Sequence, residues 1–218
     1  MTYRLYREHK YVCDQLISLE QQVARADFTR AEEIEAASQT LKAFEQLLKG
    51  HAHYEESALH ELLRQKDSTI HHTIEADHQS HDEQFAALLG KLDEILKAPR
   101  NEDKIELGHQ FYLEVRLFHS DLLKHFHEEE TKIMPKLQSL YSKEELKGIE
   151  KASYAKMTSE QMINMMTAIF PHMNANDLEF FITDIKNAEP EKFKVAWQDI
   201  KNLLNDTEQK RLAEMLKI

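Results

Sequence analysis

Two stretches of this chain read alike, and together they constrain its folding more than any other feature: HAHYEESALHEL from His51 and HFHEEETKIMPKL from His125. Each is His-x-His-x-Glu-Glu followed by apolar residues. Leu59 matches Ile133 and, upstream, Phe44 matches Phe118. Residues four apart on an α-helix point the same way, so His51 with Glu55, and His125 with Glu129, each offer an imidazole and a carboxylate from one face. A single pair of this kind would read as a solvated helix pair; two in register read as a site that the fold has to enclose. The segments before them also align, Glu8-His9 with Asp77-His78, with Leu16 opposite Phe85 and Leu19 opposite Leu88. The chain is thus a duplicated helical hairpin, each copy supplying a lone His (His9, His78) and then one His-x-x-x-Glu.

Turn residues are too scarce for a sheet protein. Four Gly and four Pro among 218 residues, in a background rich in Leu, Glu, Lys and Ala, favour long helices and an all-α fold. Apolar residues at steps of three and four predict helices over about 2–26, 29–65, from Ser68 or Thr69 to 96, and 102–140. Short connections make consecutive helices antiparallel neighbours, which gives an up-down-up-down four-helix bundle over residues 1–141. Beyond Tyr141 the helices become shorter. Ser142 with Glu145, Thr158 with Gln161, Asn176 with Glu179 and Asp206 with Gln209 fit capping boxes, and Pro171 and Pro190 punctuate the same stretch. Residues 142–218 are expected to form a smaller helical extension whose Met cluster fills a core.

Charge and cysteine usage narrow the function. A formal net charge of -11 argues against a phosphate-binding surface, so no nucleic acid is expected. The N-terminus MTYRLYREHK lacks an apolar signal core, and no run approaches the roughly 20 apolar residues of a membrane span, which predicts a cytoplasmic protein with no membrane partner. Cys13, the single cysteine, provides neither an internal disulfide nor a thiolate motif, so a metal site must use nitrogen and oxygen donors. Twelve of the 13 histidines lie between His9 and His127.

Taken together, His9, His51, Glu55, His78, His125 and Glu129 put four imidazoles and two carboxylates toward one interior, as helical cores that house two metals do. That donor set suits iron better than calcium or magnesium, and zinc and manganese fit the same ligands. His53 and His127 lie roughly 200° around their helices from the ligand face and should point away. His81, three residues beyond His78, can reach the site or its surroundings, whereas His71 is two turns too early. Glu8, Glu56 and Glu130 read as solvated charges, with support of the imidazoles as the alternative.

These residues resemble the hemerythrin-like family, the HHE cation-binding domain, over about residues 1–140; HFHEEETKIMPKL carries the family's His-Phe-x-x-Glu-Glu, apolar and Pro-x-Leu run almost completely. The resemblance implies a hemerythrin-like bundle holding two non-haem irons, oxo- or hydroxo-bridged. Glu55 and Glu129 would bridge them, and His9, His51, His78 and His125 would be terminal ligands. Oxygen-carrying members have a His-x-x-x-His on the third helix, where this chain has Ile74 and Asp82 around His78. It looks more like the four-His, two-Glu members, among them nitric-oxide-responsive, iron–sulfur-repair and iron-sensing proteins.

Three functions follow as expectations. The first is a di-iron protein that binds or senses O2, NO or peroxide in stress response. The second is a di-iron oxidoreductase that reduces NO or peroxide or oxidises an organic substrate, with Tyr6, one turn before His9, the nearby redox-capable side chain. The third is a metal-dependent interaction module whose C-terminal helices meet a protein partner. No separate acid, base or substrate motif marks the chain as an enzyme.

Overall fold

The computed structural model describes residues 7–66 and 71–216, with side chains from residue 77 onward in the second stretch. Tyr6 and the helix start expected at Ser68 or Thr69 lie outside the described residues, as do the side chains of His71 and Ile74. Among the described residues the chain is helical and contains no strand. No described helix is long and apolar enough to cross a membrane.

Contacts divide the chain into two compact units, one spanning Val12–Leu137, the other joining the stretch up to Tyr11 with everything from Gln138 onward. The first unit is built on four long segments: α1 (His9–Arg25, from Val12), α2 (Ala31–Tyr54), α4 (His71–Lys97) and α5 (Asn101–Glu128). α2 continues through Glu55–His60 into the short α3 (Glu61–Lys66), and α5 through Glu129–Ile133 into α6 (Met134–Leu140). Each long segment contributes an apolar stripe at three- and four-residue steps. Leu16, Leu19 and Val23 from α1 meet Leu41, Phe44 and Leu48 from α2, Phe85, Leu88 and Leu92 from α4, and Phe111, Val115 and Phe118 from α5 in one core. Each such side chain contributes about 1.5–3 kcal/mol on burial, which is what holds helices carrying so many charges on their outer faces.

The first connection is short and locally satisfied. In the turn after α1, Asp27 Oδ1 accepts from the Thr29 amide at 3.0 Å and its hydroxyl at 2.7 Å, and the Asp27 amide donates to Glu33 at 2.7 Å. Phe28, in the same turn, packs edge-on against Phe111 with ring centroids 5.8 Å apart. It can do so because residue 108 of α5 is glycine: a Cβ there would stand 2.6 Å from Phe28 Cγ and 2.9 Å from its Cβ.

The second unit has its own core. α7 (Lys143–Lys156), α8 (Ser159–Ile169), α9 (Ala175–Ala188), α10 (Pro190–Ile200) and α11 (Asp206–Leu216) bury Tyr154, Met162, Met166, Phe181, Phe193 and Trp197 together, so the expected Met cluster does fill a core. Capping boxes at Ser142 with Glu145 and at Thr158 with Gln161 are present. The other two caps fall one or two residues earlier than expected. Asn174 caps α9 by accepting from the amides of Asn176 and Asp177, and Asn205 exchanges hydrogen bonds with Glu208 before α11. Asn competes well at N-cap positions, and the spacing rule alone does not choose between adjacent polar residues. The N-terminal stretch is fastened here. Buried Arg7 lies 3.4 Å from Asp184 and 3.8 Å from Glu150 and sits over the Phe180 ring, and Lys10 pairs with Asp177.

Gly108→Ala is expected to lower stability by about 1–3 kcal/mol, because Phe28 must leave its place on Phe111, even though alanine is the better helix former. Urea unfolding with an unchanged slope would report it; a stabilised variant would mean the turn relaxes freely.

Candidate metal centre

α2 and α5 do not continue as ordinary α-helices through the repeated motif. At Glu55 and again at Glu129 the helix widens to π-helical winding, over Glu55–His60 and Glu129–Ile133. Such turns sacrifice regular i→i-4 bonding and occur mostly at functional positions. Here they occur twice at the same place in the duplication, each beginning on the motif's first glutamate.

Both glutamates are fully buried, with 0 % of their surface exposed, and His51 and His125 are buried beside them. His51 Nε2 lies 3.2 Å from Glu55 Oε1, and His125 Nε2 lies 3.2 Å from Glu129 Oε1, one helical turn apart in each case. His78 of α4 completes the cluster. Its Nε2 is 3.1 Å from His125 Nε2, 3.6 Å from Glu55 Oε2 and 3.9 Å from Glu129 Oε1. Donor atoms from Glu55, His78, His125 and Glu129 all fall within 4.8 Å of one another, and those of His51, Glu55 and Glu129 do so as well. His9 is buried at the first position of α1.

The imidazoles are held from behind. His78 Nδ1 is 2.9 Å from Glu56 Oε1, and His125 Nδ1 is 3.5 Å from Asp77 Oδ2. A neutral imidazole that donates its proton outward through Nδ1 presents a bare lone pair at Nε2. With both Nδ1 protons turned outward, the two Nε2 atoms, 3.1 Å apart, can bind one cation together. The spacing agrees: two donors about 2.1 Å from one first-row metal and at right angles to each other are about 3 Å apart. Cys13 offers no competing thiolate, since burial, and after it the charge of Glu130, raises its pKa. The donors present therefore fit a divalent metal bound by nitrogen and oxygen.

The hemerythrin HHE cation binding domain matches residues 1–137. The chain belongs to this family. It is a hemerythrin-like cation-binding domain protein with a buried His and Glu cluster suited to metal. It is also 27% identical over 150 residues to F-box/LRR-repeat protein 5 from Bos taurus, Mus musculus and Pongo abelii, a stretch that is 68% of this chain and 20% of those proteins. The chain thus spans about a fifth of the length of these curated relatives. No solved structure matches it.

Within this hemerythrin-like unit, His53 and His127 are exposed, as expected from their position around the helix. Glu56, read from sequence as a solvated charge with support of an imidazole as the alternative, is the partner of His78 Nδ1 while its side chain stays 43 % exposed, and Asp77 lies 3.5 Å from His125 Nδ1. His81 is buried with its ring centroid 5.0 Å from that of His125, but it belongs to neither donor group; burial, helped by His125 and His78, holds its pKa down to about 4, so it is neutral at pH 7. Asp82 lies on the surface, 3.9 Å from Lys49. Sequence reasoning passed over His60, which is fully buried and stacks on His78 with centroids 5.6 Å apart. On a regular α-helix His60 would lie roughly 140° from Glu55, but an i→i+5 turn carries it back toward the same face.

Glu56→Ala should lower divalent-metal affinity about 10–100-fold by releasing His78. Competition against a chromophoric chelator measures this; parent-like affinity would show that Glu56 does not orient the imidazole.

Proposed function

We propose that residues 1–141 form an antiparallel up-down-up-down four-helix bundle of the hemerythrin type. It would hold two irons through His9, His51, Glu55, His78, His125 and Glu129, and bind or sense a small ligand such as O2, NO or peroxide in the cytoplasm. Residues 142–218 are the helical extension; the family match, ending at residue 137, supports that division. The observation that carries the proposal is the convergence of Nε2 atoms from His51, His78 and His125 on two fully buried carboxylates, with Nδ1 of His78 and His125 turned outward to Glu56 and Asp77. Glu55 and Glu129, in reach of imidazole nitrogens on both sides, would hold the metals together with those imidazoles, and His9 would be the sixth ligand on the strength of the duplicated pattern.

Bound iron would supply a redox-active Lewis acid with coordination positions that the side chains leave open. The chain's own residues orient the imidazoles of His78 and His125 through Glu56 and Asp77 and pack Phe126 against His51 and His125, which limits access of bulk water. Protein expressed aerobically should carry about two irons per chain and an oxygen-to-iron charge-transfer band, and should change spectrum reversibly with O2 or NO. A His51→Ala, Glu129→Ala double variant should lose the iron. A chain that takes up no iron after reconstitution would refute the proposal, and steady consumption of NO or peroxide with a reductant would replace sensing by catalysis.

A reporting role for the C-terminal helices, through a protein partner, is supported by one specific arrangement. Arg7 and Lys10, which flank His9, are both ion-paired to that unit, through Asp184, Glu150 and Asp177. Arg7→Met is therefore expected to speed iron loss to a chelator several-fold, since it takes the guanidinium from buried Glu150 and half-buried Asp184. Unchanged retention would count against any link between the extension and the metals.

A further inference from the structure

Between α2 and α4 lies a cavity of about 270 Å3, lined among others by Glu45, Lys49, Glu56, His78, His81 and Asp82. At about 30 Å3 per water it has room for a hydrated metal ion. Its outer part is acidic, with three carboxylates against the single ammonium of Lys49, which Glu45 already engages at 2.8 Å with Asp82 at 3.9 Å. Its apolar wall, Leu48 and Phe85, concentrates that field instead of dissipating it in water. Two imidazoles stand at the inner part. His81 is only 5 % exposed, lines the cavity and makes no hydrogen bond to any described residue. His78 lines the same cavity and is also a member of the buried donor group.

We propose that this cavity is the loading site for a divalent cation, captured by the carboxylates at the rim, held by His81 and passed to His78. The inference rests on the metal centre argued above and assigns the cavity a role which the permanent ligand set does not. His81 is well suited to a transient contact, being a nitrogen donor within reach of the path but outside both groups of converging atoms. Anions are disfavoured by the rim, and a diatomic gas has no need of its charge. A cation does benefit, because a carboxylate about 10 Å away speeds capture of a doubly charged ion roughly fourfold in water, and more beside a low-dielectric wall.

Loading is measured by stopped-flow absorbance on the full chain, stripped with a chelator and mixed with Co2+ alone. Asp82→Asn and Glu45→Gln should each slow uptake about fourfold at low ionic strength. The difference should vanish near 1 M salt, where the screening length falls to about 3 Å, with the final Co2+ content equal to the parent's. His81→Phe should slow uptake at every ionic strength and leave the final content unchanged. Asp93→Asn, which neutralises an exposed carboxylate about 16 Å further along α4, should slow uptake about twofold or less at low ionic strength. Parent-like rates in Asp82→Asn and His81→Phe would overturn the proposal, and so would equal slowing in Asp93→Asn. A lower final content in His81→Phe would make His81 a permanent ligand and overturn its transient role. Failure of the parent itself to take up Co2+ would instead refute the metal centre, which keeps the two failures distinct.

Discussion

Glu55 and Glu129 have no exposed surface, and their donor atoms lie within 4.8 Å of each other. Two carboxylates this close, both ionised, repel by roughly 3 kcal/mol even at an effective dielectric constant of 20. Much of the larger unit can be understood as a response to that pair. Imidazole nitrogens surround the two groups, outer carboxylates turn those imidazoles, and a cation fits where the lone pairs meet. The apolar stripes of α1, α2, α4 and α5 supply the burial energy that lets the chain keep such a costly interior.

The π-helical turns belong to the same economy of strain. A regular helix would carry α2 and α5 past the site with residues at 100° steps, and only every third or fourth side chain would look inward. Widening the turn at Glu55 and at Glu129 changes that count immediately after each carboxylate. In the first copy it accompanies His60, stacked on His78; in the second, the equivalent residue is Met134, also buried. The two repeated segments therefore share their winding while differing in chemistry, and form two unlike sides of one cluster.

Much of this was legible in the sequence. The duplicated His-x-x-x-Glu named His51, Glu55, His125 and Glu129 because side chains four apart share a helical face, and the all-helical character followed from apolar periodicity and scarce turn residues. The sequence left Glu56 between two readings for a definite reason. A carboxylate next to a ligand on a helix points outward by periodicity, and it meets His78 only because α4 packs against that edge of α2. Asn174 and Asn205 displaced the expected caps for a similarly local reason, since adjacent polar residues compete for the same amides.

By itself, then, the sequence determined the helical character, the repeated donor pairs and the exposure of His53 and His127, all of which depend on spacing within one helix. Tertiary structure alone decided which neighbours those helices bring: Glu56 and Asp77 behind the imidazoles, His60 over His78, and His81 buried beside His125 but outside the donor groups. The division has a physical cause. Periodicity fixes the direction of a side chain about its own axis, whereas the partner it meets there depends on how a second helix packs, and that is set by the whole core.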